Sequence, residues 1–212
     1  MSRFCVVDIA TAPIVDAEQF IEPVSAPANY KKPEAIDAYV KEKTAEQADR
    51  AGLDVDLCRI TGIGWQHCNA EIKSHVNIAI CKDEESEREQ LAGMAVSIQA
   101  GSTLVSYNGL KFDWPILMRR ALYLGVKFPT ISLDRFKSNH IDLFAKLTNN
   151  GQLPGKSLRF YAARLGWLDL DKTLSGAEEA QIFQHQRWDD LEKSIRHDVT
   201  ATVRLAQWLG VL

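Results

Sequence analysis

One acid sits inside an otherwise apolar run near the start of the chain, Arg3-Phe4-Cys5-Val6-Val7-Asp8-Ile9-Ala10, which Thr11-Ala12-Pro13 then breaks. The run reads as a buried strand carrying a single carboxylate near its end. Strand side chains alternate, so Val7 and Ile9 share one face while Asp8 and position 10 share the other. A carboxylate placed there is costly unless a cation meets it. Two further acids stand at helical positions later in the chain. Asp113 follows a short β-branched strand and an Asn108-Gly109 turn, in Leu104-Val105-Ser106-Tyr107-Asn108-Gly109-Leu110-Lys111-Phe112-Asp113-Trp114-Pro115, just where helical period resumes. Asp198 lies within a long amphipathic stretch, in Ser194-Ile195-Arg196-His197-Asp198-Val199-Thr200-Ala201-Thr202. Taken alone, Asp113 also suits a helix cap, and His197, about 100° around a helix from Asp198, suits either a surface or a catalytic histidine.

The elements that must position these acids can be read in order. Residues 14–56 form a loop and helix insertion: Pro33 suits a first helical position, and a charge-rich helix runs from Glu34 to Ala51 before Gly52. The insertion is read as a solvated helix, with a lid beside the first strand as the alternative. Arg59–Trp65 and Val76–Ile80 alternate as an antiparallel pair around a turn near Asn69-Ala70-Glu71. A helix over 84–99 packs on the sheet, and a strand at Thr103–Tyr107 leads through the turn to a helix over 114–124. Ser132–Ser138 is irregular, residues 141–147 are apolar around Asp142, and 149–155 is a loop. Helices follow at 157–165, 176–184 and 189–209. The expected architecture is one α/β domain over residues 1–212: a mixed sheet flanked by helices, with a helical C-terminal part.

Composition narrows the setting without choosing the chemistry. A net charge of −3 over 212 residues gives no global pull toward polyanions, so nucleic-acid binding would need a local basic lining or bound cations. Cys5, Cys58, Cys68 and Cys81 lack metal-site spacing and suit reduced, partly buried thiols. No charged-then-apolar leader opens the sequence, and no apolar run approaches the ~18 residues of a membrane span. The expectation is a cytoplasmic protein with no membrane partner; its oligomeric state stays open. A nucleotide-binding doubly wound domain would need a glycine-rich strand-to-helix turn, which Asn108-Gly109 alone does not supply.

With the residues in view, the three stretches resemble the motifs of the DnaQ-like (DEDD) 3′-to-5′ exonucleases, a group with the ribonuclease H-like fold. They are most like the stand-alone relatives of family-B DNA polymerase proofreading domains. His140-Ile141-Asp142-Leu143 and Leu174-Ser175-Gly176-Ala177 add weaker matches, and the resemblance runs over residues 4–210. It implies hydrolysis at single-stranded DNA or RNA 3′ ends, in a setting such as DNA repair, with Mg²⁺ or Mn²⁺ as cofactor. In that chemistry two ions about 4 Å apart activate water and stabilise the leaving oxygen. The implied metal-binding and catalytic residues are Asp8, Asp113 and Asp198, with Asn108 and Phe112 on the substrate.

The sequence departs from this pattern twice. Ala10 stands where the family's second acid belongs, and Ser194 stands where one subclass carries a tyrosine one turn before the last aspartate. The other subclass's histidine position is Lys193. The resemblance therefore implies an impaired exonuclease, with a catalytically silent module that binds nucleic acid or a protein as the alternative. Ala10→Glu and Ser194→Tyr are the two changes that would restore the pattern.

Overall fold

Period-two alternation along the first strand sends its side chains into two different cores. In the computed structural model, which describes residues 4–68, 75–98, 102–134, 137, 139–167, 174 and 176–212, this strand is β1 (Phe4–Pro13). Cys5, Val7 and Ile9 enter one buried cluster and Val6 and Ala10 the other, as the alternation requires. The strand outlasts its expected break: Thr11, Ala12 and Pro13 continue to pair, opposite Ile60, Arg59 and Cys58, past an irregularity between Ala10 and Thr11. A bulge of this kind adds local twist and lets pairing resume, and Pro13 is tolerated because it is the last residue of the strand.

The chain continues through α1 (Pro33–Arg50), β2 (Cys58–Cys68), β3 (Asn77–Ile80), α2 (Glu84–Ser97), β4 (Thr103–Ser106), α3 (Asp113–Tyr123), β5 (His140–Asp142), α4 (Leu143–Leu147), α5 (Leu158–Arg164), α6 (Gly176–Gln184) and α7 (Trp188–Trp208). The sheet order is β3-β2-β1-β4-β5, with β2 antiparallel to both β1 and β3, and β4 and β5 parallel to β1. This is the expected mixed α/β sheet with a helical C-terminal part. The turn read near Asn69-Ala70-Glu71, and Ser175, lie outside the described residues. In the insertion, none of the described α1 side chains is buried, which matches a solvated helix.

Each face of the sheet has its own helical cover. On one face α2 and α3 bury Leu91, Met94, Trp114, Ile116 and Leu117 against β1 and β2. They are joined by a buried fork in which Arg120 Nε and Nη2 donate to the two Glu87 oxygens at 2.7 and 2.8 Å, while Glu87 Oε1 also accepts the Ile60 amide. On the other face α7 lies against β2 at two glycines. A Cβ on Gly62 would fall 2.3 Å from Ile195 Cδ1, and one on Gly64 would fall 2.5 Å from Ile195 Cγ2 and 2.7 Å from Val199 Cγ2. Gly62 and Gly64 are the β2 partners of Ala10 and Asp8, so the missing side chains let α7 settle over the acidic end of β1. The cysteines are free, and burial pushes the Cys5, Cys58 and Cys81 thiols up to about 12, as suits reduced core residues.

A methyl group at this contact should therefore be felt. Gly64→Ala is expected to destabilise the fold by about 1–3 kcal/mol in urea unfolding. Adding Val199→Ala should cost less than the sum of the two single changes; full additivity would show that the helix does not rest on this glycine.

Candidate active site

The site begins where two strands separate. β4 pairs with β1 along Phe4–Val6 and ends at Ser106, so among the described residues β1 runs on without a strand on that side. A buried backbone amide there needs an acceptor. Asp113 provides it: its Oδ1 accepts the Ile9 N–H at 3.1 Å. The carboxylate thus turns onto β1 while also taking the first amide of α3, its own, so Asp113 joins the strand and the helix start. Asp113 is only 3% exposed. Burial drives its carboxyl up from the ordinary 3.8 to about 7; bonds from its own amide and from Ile9 oppose the rise, and the charges of Asp142 and Asp198 add to it.

The turn between β4 and α3 aims this residue. Asn108 adopts a left-handed φ of 65°, which asparagine tolerates better than most residues. A Cβ at Gly109 would lie 2.0 Å from Ser106 Oγ and 3.2 Å from Asp113 Oδ2, so only glycine fits. Asp142 holds the turn from the next strand, its carboxylate accepting the Asn108 and Leu110 amides at 2.9 and 3.1 Å while also capping α4 through Phe144 and Ala145. Beside it, His140 Nε2 and Ser106 Oγ are 2.8 Å apart, and burial lowers the imidazole to about 4. The structural role of Asp142 escaped the sequence reading, although the His140-Ile141-Asp142-Leu143 match flagged the place.

Asp8 and Asp198 line one cleft of about 620 Å³, together with Tyr107, Asn108, Phe144, Lys156 and Arg159. Asp113 is buried and is not among these lining residues; its carboxyl accepts the amide next to Asp8 and feels the charge of Asp198. Of the two residues expected on the substrate, Asn108 lines the cleft. Phe112 does not: it packs against the opposite core, because the N-terminus of α3 turns it toward that cluster. Ala10 is buried among apolar side chains, and Ser194 is buried with its hydroxyl donating to Glu179 Oε1 at 2.7 Å. Glu179 was not anticipated; in sequence it is one of two adjacent acids on a short helix. His197 is partly buried and is not among the residues lining the cleft.

The donor set is all carboxylate, which suits hard divalent cations, and the repulsion acting on Asp113 is of the kind such a cation relieves. Among the described residues, no three His, Cys, Asp or Glu side chains are already gathered to ligand distance. The chemistry of the residues fits an ion, and its binding would require the acids to draw together.

The chain resembles known proteins in sequence and in fold. The family model described as the RNase_H superfamily matches residues 51–210. DNA polymerase 2 of Aeropyrum pernix is 28% identical over 165 residues, which cover 68% of this chain and 20% of that protein. The structure of the family B DNA polymerase from Pyrobaculum calidifontis superposes with a TM-score of 0.64 at 16% identity, over 99% of this chain and 24% of that one. E. coli exonuclease I in complex with a dT13 oligonucleotide gives a TM-score of 0.45 at 12% identity, over 99% of this chain and 41% of that one. The chain thus spans between a fifth and less than half of the proteins it matches.

The raised carboxyl of Asp113 has a thermodynamic sign. Between about 4 and 7 the folded chain keeps a proton that the unfolded chain has released, so this stability is full at low pH and lost as pH rises through about 7. In EDTA, Asp113→Asn is expected to melt above the parent at pH 8 and to converge with it toward pH 4. Parallel melting curves across that range would show that the carboxyl titrates normally.

Proposed function

The chain belongs to the RNase H superfamily, and from that premise we propose that it is a metal-dependent 3′-to-5′ exonuclease of single-stranded nucleic-acid ends, weakened by its own sequence. The observation that carries the reading is that Asp8 from the central strand and Asp198 from the last helix line one cleft, with Asp113 fastened to the adjacent amide of β1. Asp8 and Asp198 would hold Mg²⁺ or Mn²⁺ with Asp113 in support, and the bound ions would supply activated water and stabilise the departing 3′ oxygen.

The chain's own residues serve the rest of the task. Lys156 and Arg159 on the cleft wall offer positive charge to backbone phosphates, which a net charge of −3 does not provide globally. Tyr107 and Phe144 meet edge to face at 5.7 Å and present aromatic surface to an unstacked base. The Tyr107 hydroxyl donates to the Lys156 carbonyl, tying the loop before α5 to the end of β4. Asn108 lines the same cleft and would contact the terminal nucleotide.

A second reading, a silent binding module, is favoured by two facts: Ala10 is packed in apolar surroundings and the Ser194 hydroxyl is committed to Glu179. Neither residue offers what the family pattern asks of its position. A labelled single strand separates the readings. Slow shortening from the 3′ end is expected, faster with Mn²⁺ than with Mg²⁺, and about 10²- to 10⁴-fold slower in Asp198→Asn. Retention of the strand without any shortening in Mn²⁺ would favour the module; rapid Mg²⁺ digestion by the parent would contradict the impairment.

A further inference from the structure

We infer that Glu179, on α6, stands in for the acid that position 10 lacks, a role that rests on the exonuclease reading of the cleft. The argument starts from Ala10. It is 2% exposed and its β2 partner is Gly62, over which the Ile195 side chain lies. The layer above Ala10 is therefore the stretch of α7 that also carries Ser194. One turn later the same helix carries Asp198, because residues four apart share a face and stand about 6 Å apart along the axis.

Into this layer α6 brings a carboxylate. The helix packs on both β1 and α7, and its inward residues are Glu179 and Ile182. Ile182 joins the same apolar cluster as Ala10, Ile195 and Val199. Glu179 is 6% exposed, and its Oε1 accepts the Ser194 hydroxyl at 2.7 Å. An acid on the core-facing side of a helix is costly when buried as a charge. Its partner Ser194 stands one helical turn from Asp198, and α6 itself packs on β1, the strand that carries Ala10.

The two departures from the family pattern then become one exchange. With Glu179 counted, the site again has four acids, now supplied by β1, α3, α6 and α7. Ser194 is small because a larger side chain would fill the space that the Glu179 carboxylate occupies, and its hydroxyl holds that carboxylate in place. Restoring Glu at position 10 with Glu179 present would set two acids in a space made for one.

Calorimetric titration with Mn²⁺ tests this without reference to turnover. Glu179→Gln should weaken Mn²⁺ binding about 10- to 100-fold while the metal-free protein melts no lower than the parent. The pair Ala10→Glu with Glu179→Gln should regain most of the loss, whereas Ala10→Glu alone should not tighten binding. Should Glu179→Gln fail to fold, Ser194→Ala removes only the hydroxyl and should weaken binding by up to about tenfold. Parent-like Mn²⁺ affinity in Glu179→Gln, or in Ser194→Ala where that serves instead, overturns the inference and leaves the exonuclease reading standing. A parent protein that binds no Mn²⁺ overturns both.

Discussion

A single hydrogen bond ties the chemistry to the fold: the Ile9 amide donating to the Asp113 carboxylate. It exists because β4 stops at Ser106 while β1 continues, leaving a buried donor that only a side chain can reach. Meeting that need fixes the start of α3 against the central strand, one residue from Asp8. The same bond holds Asp113 in a desolvated place where its carboxyl is raised, so the geometry that organises the cleft also stores unfavourable electrostatics in it. Active sites commonly carry such a cost, and the rest of the fold offsets it.

The supporting devices all act on that junction. Gly109 lets the turn pass over Ser106, and Asp142 clamps the turn while starting α4. From the opposite side, Gly62 and Gly64 admit α7 close to β1, which sets Asp198 across from Asp8. The Glu87–Arg120 fork anchors α3 to α2 and, through the Ile60 amide, to the sheet. Losing one partner of such a buried pair costs about 3–5 kcal/mol, since the other charge is stranded. The fork therefore holds α3 against the sheet while the Asp113 carboxyl sits desolvated at its start.

Much of this was legible in the residues because it follows from periodicity. The alternation at Val6–Ile9, the helical spacing of α7 and the Asn108-Gly109 turn each have a local cause, and the structure places all three where the pattern puts them. What stayed hidden depends on contacts between distant segments. The continuation of β1 through Pro13 depends on pairing with β2 across a bulge. Phe112 faces the core rather than the cleft because of how α3 docks, which no spacing rule foretells. Glu179 looked like any surface acid in a Gly-Ala-Glu-Glu run, and only the packing of α6 on β1 and α7 shows it to be buried.

The account turns on whether acids drawn from separate elements act together on divalent cations in one cleft. A crystal structure after soaking in Mn²⁺, with the ion located by its anomalous signal, tests this most directly. The account predicts manganese between Asp8 and Asp198, with the carboxylates drawn closer than they stand without the ion. Manganese bound elsewhere on the surface, with the cleft empty and Asp8 and Asp198 unmoved, would contradict it.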